Sequence, residues 1–304
     1  MSVTPLAEEL ARRRFEEHQG WPRFRRAVAD FVRRRPLGAI GAALIVVMIL
    51  AAALADVIAP YDPEQASFAD LLLPPSGAHL VGTDPFGRDV LTRLLFGART
   101  ALLVGFGASL SGSTLGLVLG VVGAYLGGRV DQVIQRLMDV LISFPLIVLA
   151  IAVVSALGGG EGKVYNVVIA ISIPIIPRVA RVVRASALAI VAMPYIEAAR
   201  SVGSGATRIM FRHIVPNVFA PFLIMLTAFL GQAILLEASL SFLGLGVTEP
   251  TPAWGLMLSG MANDLFRQAP WMILFPGIAI SLAVFAFNLF GDSLRDWLDP
   301  RLKV

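Results

Sequence analysis

Residues 197–216 read EAARSVGSGATRIMFRHIVP, a polar and patterned stretch set between long apolar runs. Glu197, Ala198, Ala199 and Arg200 form helix readily, Gly203 and Gly205 interrupt, and a second helical run carries Arg208 and Arg212 before Pro216 opens the next apolar run. The spacing predicts a helix, an elbow and a helix lying outside a bilayer. The residue types suit a docking surface: alanines permit close approach, glycine supplies the bend, and the Glu197 carboxylate offers a partner for a basic residue of another protein.

The rest of the chain says that a bilayer is the solvent. Apolar residues are 57% of 304, charged residues 15%, and mean hydropathy is +0.77, outside the range of globular soluble domains. Uncharged apolar runs at 36–55, 100–128, 140–160, 214–236 and 268–291 are each long enough to cross a core of about 30 Å. A shorter run, 164–177, contains Pro174 and Pro177 and stops at Arg178. It spans only if the helix continues past Arg178, with that side chain snorkelling or facing protein. The fold expected is therefore an all-α integral membrane protein with six transmembrane helices.

Charge placement orients it. With the N-terminus inside, Lys and Arg number nine in the N-terminal tail, two at Arg129 and Arg136, six from Arg178 to Arg212 and three in the C-terminal tail. The outer segments hold five: Arg88, Arg93, Arg99, Lys163 and Arg267. Twenty against five follows the positive-inside rule and puts the Glu197 loop and both termini in the cytoplasm. The sequence pI near 9.9 is thus a topology signal, and nucleic-acid binding is not implied. The divisions expected are a cytoplasmic amphipathic tail at 1–36, lying on membrane lipid; a first span with an outer segment, 37–99; a core at 100–292 with the loop 193–216; and a cytoplasmic tail at 293–304. Gly87 to Thr100 reads as an amphipathic helix feeding the second span. Ala53-Leu54-Ala55 imitates a signal-peptidase site, but the basic region and apolar run before it are too long, so the first span reads as an uncleaved anchor.

Several catalytic classes lack their residues. Cysteine is absent, which removes disulfides, thiolate metal sites and thiol nucleophiles. His18, His79 and His213 lie far apart and on different sides of the membrane. Leu157 to Lys163 imitates a phosphate-binding loop but has Leu157 at the first glycine position and Val164 where Ser or Thr would hold magnesium. No bound cofactor or metal is expected. Gly112, Gly116 and Gly120 recur every four residues, spacing that lets helix backbones approach in lipid, within the chain in preference to a dimer face. Ionisable groups in or beside spans, namely Asp139, Arg178, Arg181, Glu237 and Asp292, are costly and so draw functional attention. Pro145, Arg178 and Glu237 are the candidates for a translocation path or gate: Pro145 frees a backbone carbonyl, and Glu237 sits about 30 Å along its helix from Pro216. Glu237 could equally brace the outer ends of two helices. An intramembrane enzyme would need two such groups at one depth, whereas Asp139 and Glu237 fall near opposite faces.

The stretch quoted first resembles the EAA loop of permease subunits of binding-protein-dependent ABC importers, with Val215 where the family pattern has Leu before the Pro. The resemblance covers nearly the whole chain. Ala59-Pro60-Tyr61-Asp62-Pro63, Gly82-Thr83-Asp84, Gly87-Arg88-Asp89-Val90-Leu91, Ser143-Phe144-Pro145, Leu240 to Gly246, Pro252-Ala253-Trp254-Gly255 and Asp296 to Arg301 all look like the dipeptide, oligopeptide and nickel importer permeases. Among these the chain is similar to the C-type subunit. The resemblance implies a type I ABC importer permease fold in a bacterial or archaeal plasma membrane. It implies a B-type permease partner, two cytoplasmic ABC ATPases that bind ATP and magnesium, and an extracytoplasmic binding protein. It also gives Glu197, Ala198, Ala199, Arg200, Gly203, Arg208 and Pro216 the role of ATPase coupling. Peptides are the cargo implied, with nickel or another small solute as the alternative.

Overall fold

The computed structural model describes residues 31–158, 164–260 and 267–298. The amphipathic tail up to residue 30, most of the turn at 157–163 and the last six residues lie outside them. Among the described residues every regular element is a helix, apart from one isolated bridge, Thr83 to Asp89. The first span is α1, Pro36–Ala53, opening on a proline whose missing N–H costs nothing at a helix start. A single turn, α2, Ala55–Ile58, leads into an irregular outer segment.

The long helix α3, Val90–Leu126, is 37 residues and so about 55 Å, well over the bilayer core, which leaves its first turns projecting. Asp89 caps it by accepting from the Thr92 backbone N–H (2.8 Å) and the Thr92 hydroxyl (2.8 Å). The amphipathic stretch expected up to Thr100 is thus continuous with the span. Against α3 lies α6, Val164–Val191, which runs straight on through Pro174, Pro177 and Arg178. The short fourth run therefore becomes a full 28-residue span. The three glycines make this contact possible. A Cβ at Gly112 would meet the Ser172 carbonyl at 2.7 Å, one at Gly116 Val179 Cβ at 2.7 Å, and one at Gly120 the Ala180 carbonyl at 2.7 Å. Ser111 and Ser172 join hydroxyls across the pair at 2.7 Å.

The third run departs from expectation. In place of one span over 140–160 the chain forms α4, Gly128–Ser143, and α5, Leu146–Ala156, bent 98° apart. Phe144 is extended (φ −88°, ψ 139°) because the ring of Pro145 disfavours helical backbone in the residue before it. Six crossings are reached when this bent pair counts as one.

After α6 come α7, Pro194–Ser201, and α8, Ala206–Ile209, then a π-helical turn at Met210–Ile214 that flows into α9, Val215–Phe242. Pro216 therefore does not start a new helix but lies inside a continuous one from Ala206 to Phe242. Its missing N–H and its ring would disrupt an ordinary α-turn, and the looser π turn takes up the mismatch. The short α10, Trp254–Met257, and the last span α11, Trp271–Leu298, complete the bundle. Buried Val104, Ala108, Ile171, Ile175, Val179, Ala233 and Leu240 form the main core between α3, α6 and α9. The first span packs on α11 through glycine: a Cβ at Gly38 would strike Ser293 at 2.3 Å, and one at Gly41 the Ala286 carbonyl at 2.7 Å.

Candidate coupling loop, path residues and outer charge knot

The loop 193–216 has the helix, elbow and helix read from its residue types. The elbow is at Gly203, whose φ of +81° is a left-handed backbone that side-chain-bearing residues rarely adopt. Nothing lies within 4 Å of a Cβ built there, so the glycine serves conformation and not close packing. Ile196, Ile209 and Ile214 are fully buried and seat the loop in the main core. Opposite that anchor, Glu197, Ala198, Arg200 and Arg208 are exposed, Val202 is 82% exposed and Phe211 68%. Among the described residues no ion pair reaches Glu197. The Arg200 guanidinium lies over the Tyr125 ring, 4.9 Å from its centroid, joining the loop to the last turn of α3. At the other end, the Asn217 side-chain amide donates to the His213 carbonyl at 2.6 Å, satisfying an acceptor in the π turn.

The three path candidates are not brought together. Pro145 is exposed at the break between α4 and α5. Arg178, half-buried in α6, donates from Nη1 to the Pro174 carbonyl at 2.9 Å. Glu237 is wholly buried (0% exposed), and its Oε1 accepts from the Ser241 hydroxyl at 2.8 Å. Ser241 Oγ also accepts from the Val247 N–H at 3.3 Å, so Glu237 is tied to the loop that follows α9. Two charges singled out in the sequence do find partners: Arg181 pairs with Asp139. Arg184, which drew no attention as a lone charge, binds Asp131 through two of its three guanidinium nitrogens, Nη2 on Oδ2 and Nε at 2.6 Å from Oδ1.

At the opposite end from the coupling loop is a network the sequence reading passed over. Asp84 closes a turn by accepting from the Phe86 and Arg88 N–H groups at 2.8 and 2.9 Å. The Arg88 side chain bridges Asp84 (2.7 Å) and Glu249 (2.6 Å). Arg93, 1% exposed, adds Glu249 at 3.2 Å and the carbonyls of Pro63 at 3.1 Å and Pro250 at 3.4 Å. Burial acts against the charge of Arg88, but the Glu249 hydrogen bond and the nearby Asp84 and Glu249 carboxylates outweigh it and raise its pKa above the ordinary value. Two cations and two anions thus knot the outer segment to the loop at 249–254. Trp254 Nε1 donating to the Leu94 carbonyl (2.9 Å) and Thr100 donating to the Pro252 carbonyl (2.8 Å) seat that loop on α3. A cavity of about 290 Å³ opens on the knot, lined by its Asp84, Arg88, Arg93 and Glu249 and by Phe86, Leu256, Met257 and Met272. Among the described residues no group of three His, Asp or Glu is arranged to hold a metal.

Residues 112–304 match the family described as binding-protein-dependent transport system inner membrane component, and residues 21–75 match the N-terminal TM domain of oligopeptide transport permease C. A putative peptide transport system permease protein of Brucella suis is 44% identical, covering 90% of each chain. A glutathione transport system permease protein of Pectobacterium atrosepticum is also 44% identical, over 90% of this chain and 91% of the relative. A di/tripeptide transport system permease protein of Pseudomonas aeruginosa is 42% identical, over 88% and 89%. The fold is similar to a chain of the MetNI methionine ABC transporter in inward-facing conformations, with TM-score 0.55 at 17% identity over 68% of this chain and 96% of that one. The chain is a multi-pass membrane protein of the type I ABC importer permease fold, and it belongs to the family of binding-protein-dependent transport system inner membrane components.

Proposed function

We propose that this chain is the C-type permease subunit of an ATP-driven peptide importer. It would form the translocation path with a B-type permease, bind two cytoplasmic ATPases through the loop 193–216, and receive cargo from an extracytoplasmic binding protein. The observation that carries the reading is that loop: three buried isoleucines root it in the core, while Glu197, Ala198, Arg200, Val202 and Arg208 face outward. A surface held rigidly from behind, with Arg200 resting on Tyr125 and Glu197 in no ion pair among the described residues, suits a rigid-body push from another protein. ATP and magnesium belong to the ATPases, and this chain performs no covalent chemistry. Closure of the ATPases moves the loop, the helices rooted to it rock, and the path opens toward the loaded binding protein. Hydrolysis reverses the cycle. The plasma membrane of a bacterium or archaeon, with both termini cytoplasmic, is the location this scheme requires.

Peptide cargo rests on relatives whose names specify peptides, di/tripeptides and glutathione, and it displaces the nickel alternative on that ground. Within the path, Pro145 marks the break where one helix changes direction, and Arg178 lies on the helix that leads to the coupling loop. Glu237 we assign to bracing the outer end of α9, since it is enclosed by its own chain. The test is uptake into proteoliposomes holding the full complex and its binding protein. ATP-dependent accumulation of labelled di- or oligopeptides is expected. Accumulation of nickel without peptide would move the cargo to the alternative, and no ATP-dependent uptake of either would overturn the reading.

A further inference from the structure

The segment α4 is hung between two points where the backbone leaves helical geometry. At one end Gly127 and Gly128 both take positive φ (+61° and +53°), with nothing within 4 Å of a Cβ built at either, so their conformation and not their packing calls for glycine. At the other end Phe144 and Pro145 are extended and the chain turns through 98°. Between them α4 has almost no apolar hold on the protein, since Met138 is its one buried residue. What ties it down is charge. Asp131 and Asp139, two turns apart, meet Arg184 and Arg181 on the last turns of α6. Asp131 and Arg184 are bidentate, with side chains only 15% and 28% exposed, while Asp139 and Arg181 are about half-exposed. Planar two-point contacts fix orientation as well as distance, and a partly enclosed pair escapes much of the screening that weakens surface pairs. The helix holding both arginines runs, after Ala192 and Met193, directly into α7 of the coupling loop. Arg200 of that same loop rests on Tyr125, two residues before the glycine hinge.

We propose that the Asp131–Arg184 and Asp139–Arg181 pairs are the linkage through which the coupling loop drives α4, making Asp131 and Arg184 positioning residues for transport. α4 then behaves as a lever: hinged at both ends, light in apolar contacts, and clamped to the helix that leads into the loop. The inference rests on the coupling role proposed above. Its signature is loss of transport per ATP, because a severed linkage lets the ATPases cycle without moving the lever.

The test uses the complete reconstituted importer and reads peptide transported per ATP hydrolysed, normalised to assembled complex. Asp131→Lys and Arg184→Glu are each expected to lower that ratio about tenfold, the order of a typical coupling between sites. The reversed pair, Asp131→Arg with Arg184→Asp, is expected to restore most of it. Gly123 is crowded by Asp131, a Cβ there meeting its Oδ1 at 2.9 Å, so a second comparison guards against failure of the reversed pair to assemble. Arg184→Lys, which keeps the charge but gives up the two-point contact, should fall between the unmodified ratio and that of Arg184→Gln, which falls with Arg184→Glu. Unchanged ratios in the single variants, or equal ratios for Arg184→Lys and Arg184→Gln, would overturn the linkage. Glu197→Lys measured in parallel separates the two readings. If it uncouples while the Asp131 and Arg184 variants do not, the linkage falls and the coupling role stands; if it leaves the ratio unchanged, the coupling role falls first.

Discussion

Substituting alanine at Gly116 tests whether the α3–α6 contact is set by the absence of side chains. A Cβ there would lie 2.7 Å from Val179 Cβ and 2.8 Å from the Ile176 carbonyl, whereas ordinary contact begins at 3.4 Å. The helices must separate by about 0.7 Å locally, and overpacking of this kind costs about 1–3 kcal/mol. The carbonyl belongs to a helix backbone held along its whole length, so it has little freedom to yield. Opposing this, alanine is the better helix former by about 1 kcal/mol. Gly277→Ala supplies the control: Gly277 lies inside α11, has no atom within 4 Å of its built Cβ, and gains the same propensity without the clash. The difference between the two variants is then the packing cost, about 1–3 kcal/mol. Thermal unfolding of the purified protein in detergent, followed by tryptophan fluorescence, reads it at about 2–4 °C per kcal/mol. Gly116→Ala is expected to melt several degrees below Gly277→Ala. A Gly116→Ala protein that melts with or above the control would refute the reasoning.

Three further outcomes are expected. Arg93→Gln removes a buried cation from the outer knot; the full loss of a buried pair costs about 3–5 kcal/mol, but Glu249 is 43% exposed and water can replace part of it, so about 1–3 kcal/mol is expected in the same melting assay, and no shift would show that the knot does not hold the outer segment. Glu237→Gln keeps a hydrogen-bond acceptor for Ser241, so uptake of free-amine and amine-blocked peptides should change by one common factor; selective loss of free-amine peptides would make Glu237 a cargo contact instead of a brace. In this cysteine-free chain, single cysteines at the exposed positions Ser201 and Arg295 should label from the cytoplasm and one at Ser76 from outside, and labelling of Ser201 from outside would reverse the topology.

Much of this architecture was legible because it is periodic or local. The four-residue glycine repeat already implied a close helix pair within the chain, and α3 packs on α6 through those same glycines. Gly203 and Gly205 between two helix-forming runs announced the elbow, which needs only neighbouring residues to form. Pro145 stood out as freeing a backbone carbonyl within one apolar run; the 98° bend depends on how α4 is tethered elsewhere, and no local rule gives that angle. Pro174 and Pro177 obscured a full span because a helix enclosed by neighbours tolerates prolines that would end an isolated one. The outer knot was hidden for a different reason: Arg88 and Glu249 are 161 residues apart, and a single sequence holds nothing that pairs them. The Asp131–Arg184 clamp had a faint signal, since Arg181 and Arg184 recur at helical spacing opposite an amphipathic helix with two aspartates on one side.

The most direct test of the central claim places a photo-reactive amino acid at Val202, the apolar tip of the elbow and 82% exposed. Irradiated in intact cells, the full transporter is expected to yield one dominant adduct, identified by mass spectrometry as the importer's own ABC ATPase, and the adduct should disappear when Gly203→Pro breaks the elbow. Adducts confined to lipid or to the extracytoplasmic binding protein, with no ATPase among them, would contradict the account.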